Sequence, residues 1–169
     1  METIPGEQLV HVTKHSSSFI DLPCRIGAGT VVWHFTHIRE GSKIGRECMI
    51  GQGCYIDKGV NIGDNVRIQN NVSIYDGVVI EDDVYIGPSV VFMNVRKPWA
   101  TKSSKQYEPT VIKRGASVGA NATILCGVII GEGAMIGCGT VVNKNVPPHT
   151  MVVGNPSKII KQIEYESQV

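Results

Sequence analysis

Two histidines three residues apart, His34 and His37, sit in the stretch VVWHFTHIRE with Trp33 and Phe35 beside them. Imidazole titrates near neutral pH and binds metals, so the spacing raises either a general base or a metal site. A tetrahedral zinc site needs three or four good ligands. In the stacked columns set out below, the neighbours of these histidines are Gln, Asn, Tyr and Ser, so no metal is expected and His34 stays open as a base or a hydrogen-bonding group. Five cysteines, Cys24, Cys48, Cys54, Cys126 and Cys138, are odd in number and show no CxxC spacing. That argues against a disulfide or zinc framework and for a reducing, cytoplasmic setting. The net charge of +1 over 169 residues gives no global case for nucleic acid or membrane surfaces. No run of eighteen apolar residues suggests a membrane span. METIPGEQLVHVTKH lacks the apolar core of a signal peptide.

What positions these residues is a period of six. From Ile20, every sixth residue to Phe92 is apolar: thirteen positions, eleven of them Ile. Two residues earlier in each hexad stands a small or β-branched residue, from Ser18, Cys24 and Thr30 to Val90. Gly follows the aliphatic residue at Gly27, Gly45, Gly51, Gly63 and Gly87. This is the hexapeptide repeat of a parallel β-helix, in which each hexad is a short strand plus a turn. The aliphatic residue points inward and the small one fills the corner. The glycines are expected to supply turn geometry closed to other residues. Cys24, Cys48 and Cys54 become small buried fillers. No hexad buries its apolar face alone, so stability comes from stacking.

The pattern halts after Phe92 and resumes, shifted, at Ile112, Val118, Ile124, Ile130, Ile136 and Val142. Residues 94–110 are therefore an inserted loop, of a length usually tied to function or disorder. Pro147 and Pro148 break the strand pattern. PSKIIKQIEYE then reads as a short C-terminal helix with Pro156 near its start. The expected organisation is an N-terminal segment 1–17, a β-helix 18–146 carrying the loop, and a tail 147–169.

This repeat resembles the left-handed β-helix acyltransferases, and the left-handed sense is what that resemblance implies. The family stacks residues eighteen apart. Trp33 then aligns with Gly51, Gln69 and Gly87; His34 with Gln52, Asn70 and Pro88; Phe35 with Gly53, Asn71 and Ser89. One corner gathers amides, as a ligand contact or as a structural amide ladder. Glu40, Lys58, Asp76 and Asn94 form a second column, expected as a solvated ion ladder ending in an Asn where the helix gives way to the loop.

Longer phrases narrow the resemblance: VWHFTHI (32–38), Gly51-Gln52, IQNNVSIYD (68–76), GPSVVFMNV (87–95), KRGASVGANATILCGVIIGEGAMIGCGTVVNKNVP (113–147) and VVGNPSK (152–158). Together they are similar to enzymes that acetylate the 3-amino group of nucleotide-linked sugars. One branch takes UDP-2-acetamido-3-amino-2,3-dideoxyglucuronate, an O-antigen precursor, and another takes dTDP-3-amino-3,6-dideoxyhexoses. The resemblance implies a homotrimer with acetyl-CoA as co-substrate, active sites between subunits, and direct attack of the sugar amine on the thioester. It implies Asn94 beside the reacting amine, with His34 the other catalytic candidate. Gln52, Gln69, Asn70, Asn71, Tyr75, Arg96 and Tyr107 are candidates for the nucleotide sugar. CoA would meet backbone amides near Gly119, Ala120 and Gly137 and the turn Gly154, Asn155 and Pro156. Lys113, Arg114 and Lys158 are candidates for its phosphates.

A sugar carboxylate wants a cation. Arg96 supplies one and Glu108 opposes it, so uronate and neutral deoxysugar both stay open. Two other classes compete: an O-acetyltransferase using His34 to activate a hydroxyl, and a non-catalytic β-helix scaffold.

Overall fold

The computed structural model describes residues 2–3, 11–97 and 107–163. The chain winds as a parallel β-solenoid of very short strands, most of them two residues long, with no helix among the described residues. Successive strands fall on three sheets in rotation. The first sheet runs through Val31–Val32, Met49–Ile50, Arg67–Ile68 and Tyr85–Ile86, the second through His37–Ile38, Tyr55–Ile56 and Ser73–Ile74, and the third through Lys43–Ile44 and Asn61–Ile62. The sheets hold ten, seven and six strands.

Register is set by the inward aliphatic residue. Ile50, Ile68 and Ile86 pair across coils at an offset of eighteen, and Ile56 pairs with Ile74 likewise. Alternation puts that residue inside and its neighbour outside. The twelve largest fully buried side chains are Phe92 and eleven isoleucines, including Ile38, Ile56, Ile74 and Ile124. At the insertion the offset becomes 32, with Val79 opposite Val111 and Tyr85 opposite Ser117. Fourteen extra residues therefore leave the prism and return without disturbing the frame. Residues 98–106, with Lys102 and Lys105, lie outside the described part of the loop.

The solenoid extends beyond 18–146. Thr13–Lys14 already pairs with Val31–Val32 above a buried Val12. A final coil two residues short pairs Met135 with Met151. Both ends of the first sheet close with antiparallel strands, Glu2–Thr3 against Thr13–Lys14 and Lys158–Gln162 against Thr150–Val153. The helix expected after Pro156 is thus a strand. The open edge of the last coil leaves unpaired N–H and C=O groups, and pairing them outweighs a weak local helical pattern. Gly154, at φ +97°, makes the turn. Residues 164–169 lie outside the described part.

Two packing details differ from expectation. The glycines after the inward isoleucines do not occupy the left-handed region. They are required because a Cβ at Gly27 would sit 2.6 Å from the backbone of Gly45, and one at Gly119 would sit 2.6 Å from the Cys138 nitrogen. The left-handed slot lies two residues later, at Phe35, Gly53, Asn71, Ser89, Asn121 and Gly139 on one corner. The small corner residues are also more than fillers. The hydroxyls of Thr30, Thr36 and Ser42 and the thiols of Cys48 and Cys54 donate to the carbonyl fifteen residues on, at 2.9, 2.8, 3.0, 3.1 and 3.1 Å. Each gives a corner oxygen of the next coil a side-chain donor.

Candidate functional site

The candidate residues distribute over three corners of the prism. The first corner, between the first and second sheets, carries Trp33 to Thr36 and their counterparts in later coils. His34 stacks on His15 with ring centroids 3.6 Å apart, and the Trp33 ring lies 6.1 Å away at an interplanar angle of 11°. A groove of about 370 Å³ opens here, lined by Trp33, His34, Met49, Gly51, Gln52, Gln69 and Asn70. Among the described residues, no hydrogen bond reaches the His34 ring or the side-chain amides of Gln52 and Gln69. Asn70 differs: its Oδ1 accepts the Gln52 N–H at 2.9 Å, so half of this amide is structural. Asn71 fills the left-handed slot at φ +60°, which its short polar side chain tolerates.

The second corner, between the second and third sheets, holds Asn94 and both limbs of the loop. Asn94 is half-buried, and its amide has no partner among the described residues. Two residues on, Arg96 grips Glu108 bidentately, with Nε and the terminal nitrogen 2.9 and 2.8 Å from the two carboxylate oxygens. The same guanidinium donates to the Cys126 carbonyl at 3.0 Å. Hydrogen bonding and charge together raise the Arg96 pKa and lower that of Glu108. The pair closes the foot of the loop and docks it on the next coil. Gly127 keeps this space open, since a Cβ there would lie 2.6 Å from the Glu108 carboxylate. Tyr107 packs over Gly77 on the returning limb, and the Tyr75 ring lies 6.0 Å from that of Tyr55, tilted by 53°.

The expected Glu40–Lys58–Asp76 ladder does not form. Glu40 pairs with its neighbour Arg39 at 3.0 Å. Arg39 also meets Asp21, which bonds His37, all at 3.0 Å. It reaches the Tyr55 hydroxyl at 3.4 Å, and that hydroxyl donates to Asp57 at 3.1 Å. The network joins His37 to Asp57 across the outer face of the second sheet. Sequence reading missed it, although Asp21, Arg39 and Asp57 stand eighteen apart with alternating charge.

The third corner, between the third and first sheets, is built from carboxylates. Asp64 Oδ1 accepts the Arg46 N–H at 2.7 Å, and Asp82 Oδ1 accepts the Asp64 N–H at 2.9 Å. Lys113 pairs with Glu81 at 2.7 Å and Arg114 with Asp82 at 2.8 Å. The Lys113 ammonium, ahead of burial and the Arg114 N–H, sets the lowered pKa of Glu81. Two of the three cations expected at the CoA phosphates, Lys113 and Arg114, are therefore already compensated here, on a different corner from the other cofactor candidates.

Those others do come together. The turn at Gly154 packs on the last coil of the first corner: Val141 N–H donates to Gly154 O, and Ser157 N–H to Val141 O, both at 3.0 Å. A Cβ on Gly137 would meet Val153 at 2.7 Å. Asn155 and Pro156 complete the turn, and Lys158 opens the exposed closing strand. The N–H groups of Gly119 and Gly137 are spent on ladder bonds to Ile136 and Val152, leaving that of Ala120 unbonded. No thiol is activated where burial acts: Cys24 is pushed up to about 11, and Cys48, Cys54 and Cys126 rise too. Among the described residues no three potential metal ligands cluster, and no helix is long and apolar enough to cross a membrane.

With this geometry in hand, the decisive comparison is with the bacterial transferase hexapeptide family (six repeats), which the chain matches over residues 23–58, 59–94 and 109–144. The chain belongs to that family. Residues 41–76 also match the hexapeptide repeat of succinyl-transferase. A 2,3,4,5-tetrahydropyridine-2,6-dicarboxylate N-acetyltransferase of Brevibacillus brevis is 36% identical over 84 residues, covering 50% of this chain and 33% of its own. A dTDP-3-amino-3,6-dideoxy-alpha-D-galactopyranose 3-N-acetyltransferase of Aneurinibacillus thermoaerophilus is 43% identical over 55 residues, 32% of this chain and 29% of its own. The chain spans about a third of the length of these curated relatives. Among solved structures, a hexapeptide-repeat acetyltransferase of Vibrio cholerae complexed with acetyl coenzyme A aligns with a TM-score of 0.65 at 29% identity, covering 73% of this chain and 72% of its own.

Proposed function

We propose that the protein transfers the acetyl group of acetyl-CoA to the amino group of a nucleotide-linked amino sugar, for surface-polysaccharide synthesis. The observation that carries this reading is the half-buried, unpartnered amide of Asn94 at the foot of the loop. It lies on the corner across the second sheet from a groove of free amides. An amide cannot take a proton at neutral pH. It can hold an amine so that its lone pair faces the thioester carbon, and positioning alone removes a large part of a bimolecular barrier. The C–N bond forms as the C–S bond breaks. CoA leaves as a thiolate, and the proton shed by nitrogen goes to it. The raised thiol pKa values fit this route, because no cysteine at the buried corners is a thiolate that would carry the acetyl group.

In one chain the Asn94 corner and the groove stand on opposite edges of the second sheet. The outer face of that sheet exposes Phe19 (68%) and Val91 (49%), flanked by Leu22 (67%). Three triangular prisms packed through one face bring the first corner of each copy against the second corner of the next. A homotrimer of this kind completes three sites, each with acetyl-CoA along the C-terminal coils near Ala120 and the Gly154 turn.

The relatives acting on tetrahydropyridine dicarboxylate favour a second acceptor class. A dicarboxylate needs cations, and Arg96, the cation nearest Asn94 in sequence, is neutralised by Glu108. That weighs toward the sugar. The experiment is CoA release from acetyl-CoA with a UDP-3-amino-uronate, a dTDP-3-aminohexose and tetrahydropyridine dicarboxylate side by side. Turnover of either nucleotide sugar is expected. Turnover of the dicarboxylate alone sinks the sugar reading.

A further inference from the structure

We propose that the groove of the first corner is a nucleobase subsite, in which Trp33 and His34 form the stacking surface and Gln52 and Gln69 read the edge of the base. The inference rests on the nucleotide-sugar reading and assigns one part of that acceptor to one part of the protein.

Four observations carry it. The lining, Trp33, His34, Met49, Gly51, Gln52, Gln69 and Asn70, holds no Asp, Glu, Lys or Arg. A phosphate or a carboxylate would gain nothing there, so the complementary ligand is neutral. The rings of Trp33 and His34 are parallel within 11°. His15 backs His34 at 3.6 Å, so the surface is already assembled and little side-chain freedom is lost when a flat ring lies on it. The side-chain amides of Gln52 and Gln69 are without partners among the described residues, and Asn70 keeps its Nδ2 donors after spending Oδ1 on the Gln52 N–H. Each glutamine amide offers a donor and an acceptor side by side, which is what the edge of a nucleobase presents. Finally, about 370 Å³ is small for a nucleotide sugar and suits a base with its ribose.

The assignment gives His34 a role that needs no proton transfer. Its ring is a wall of the subsite, held by His15, and is not the base of an O-acetyl transfer. The diphosphate would leave the groove toward the neighbouring subunit, where Asn94 waits for the sugar.

The test is calorimetric titration of the full chain with UDP, dTDP, GDP, ADP and ribose 5-phosphate, with acetyl-CoA binding measured alongside. At least one of UDP, dTDP and GDP should bind, and ribose 5-phosphate should not. Trp33→Ala should weaken that nucleotide on the order of ten- to a hundredfold, the size of one lost base–aromatic stack. Trp33→Phe should restore most of it, and Gln52→Leu should change the preference among the three bases. Acetyl-CoA affinity should stay unchanged throughout. Binding of ribose 5-phosphate as tight as that of the nucleotides overturns the subsite, as does nucleotide binding indifferent to Trp33→Ala. Selective binding of ADP in competition with acetyl-CoA would make the groove the adenine site of CoA and overturn it as well. Wild-type protein that acetylates an amino sugar but binds no free nucleotide sinks the subsite and leaves the acetyl transfer. Nucleotide binding of the expected pattern without acetylation of any acceptor does the reverse.

Discussion

The proposed acetyl transfer gives different tasks to Asn94 and His34. Asn94 is half-buried with no partner for its amide among the described residues, so on the proposed mechanism its removal should cost little folding energy and much orientation. Asn94→Ala should lower kcat/KM by about ten- to a thousandfold, the range for a lost positioning contact in a closed site, with the melting temperature within a few degrees of wild type. A melting temperature that falls in step with activity would show the amide to be structural. His34→Ala should cost only several-fold in turnover, because an amine attacks without a protein base. Loss beyond about a thousandfold, at or above the usual span of general base catalysis, would restore His34 as the base. The hexad period made the corner positions of both residues legible. It did not reveal that His15 backs His34, since that contact joins side chains one coil apart that are not in the same column.

The short strands and corners were readable wherever a residue type repeats. Ile at every sixth position dictates an inward column, while the grouping of three hexads into a coil, and so the three sheets, was implied by the family resemblance. The loop and the tail were harder, because their pairing is set by groups that no period links. Arg96 and Glu108 stand twelve apart and meet only because the chain turns back on the Cys126 carbonyl. The closing strand exists because the last coil offers an edge, a fact no local pattern contains. Gly119 shows the same limit: its need is set by the next coil. Gly119→Ala would place Cβ 2.6 Å from the Cys138 nitrogen and should cost about 1–3 kcal/mol, as overpacking does. Gly139, at φ +67° with open space around its Cβ position, should accept Asn at little cost, as Asn121 does one coil earlier. Chemical denaturation of both variants measures the contrast. Equal losses would mean that the close approach of the next coil does not set the cost at Gly119.

Stability in a solenoid passes from coil to coil, so the loop clasp and the exposed sheet matter to the whole molecule in different ways. Glu108 has its pKa lowered by Arg96, so the clasp favours the folded loop above the carboxyl's ordinary range and loses that contribution only as pH falls through the depressed value. Activity should therefore show no inflection from the clasp between pH 5 and 9. Glu108→Gln should leave the solenoid's melting nearly unchanged while raising KM for the sugar acceptor by loosening the loop.

The second sheet bears on assembly. Its outward column runs Phe19, His37, Tyr55, Ser73 and Val91, so exposed apolar residues stand on either side of the polar Asp21–His37–Arg39–Tyr55–Asp57 network. Val91 pairs in register with Ser73 and Thr123, and its side chain supports nothing inside the prism. A charge at this position costs the isolated chain little, and it costs an association through this face the full desolvation of an unpaired carboxylate. If the proposed trimer forms through this face, wild type should scatter light as a trimer and Val91→Glu as a monomer, with the β-rich circular dichroism of wild type kept and turnover abolished, because each proposed site draws on two chains. A Val91→Glu protein that stays trimeric and active would move the threefold contact to another face and part the groove of the first corner from Asn94.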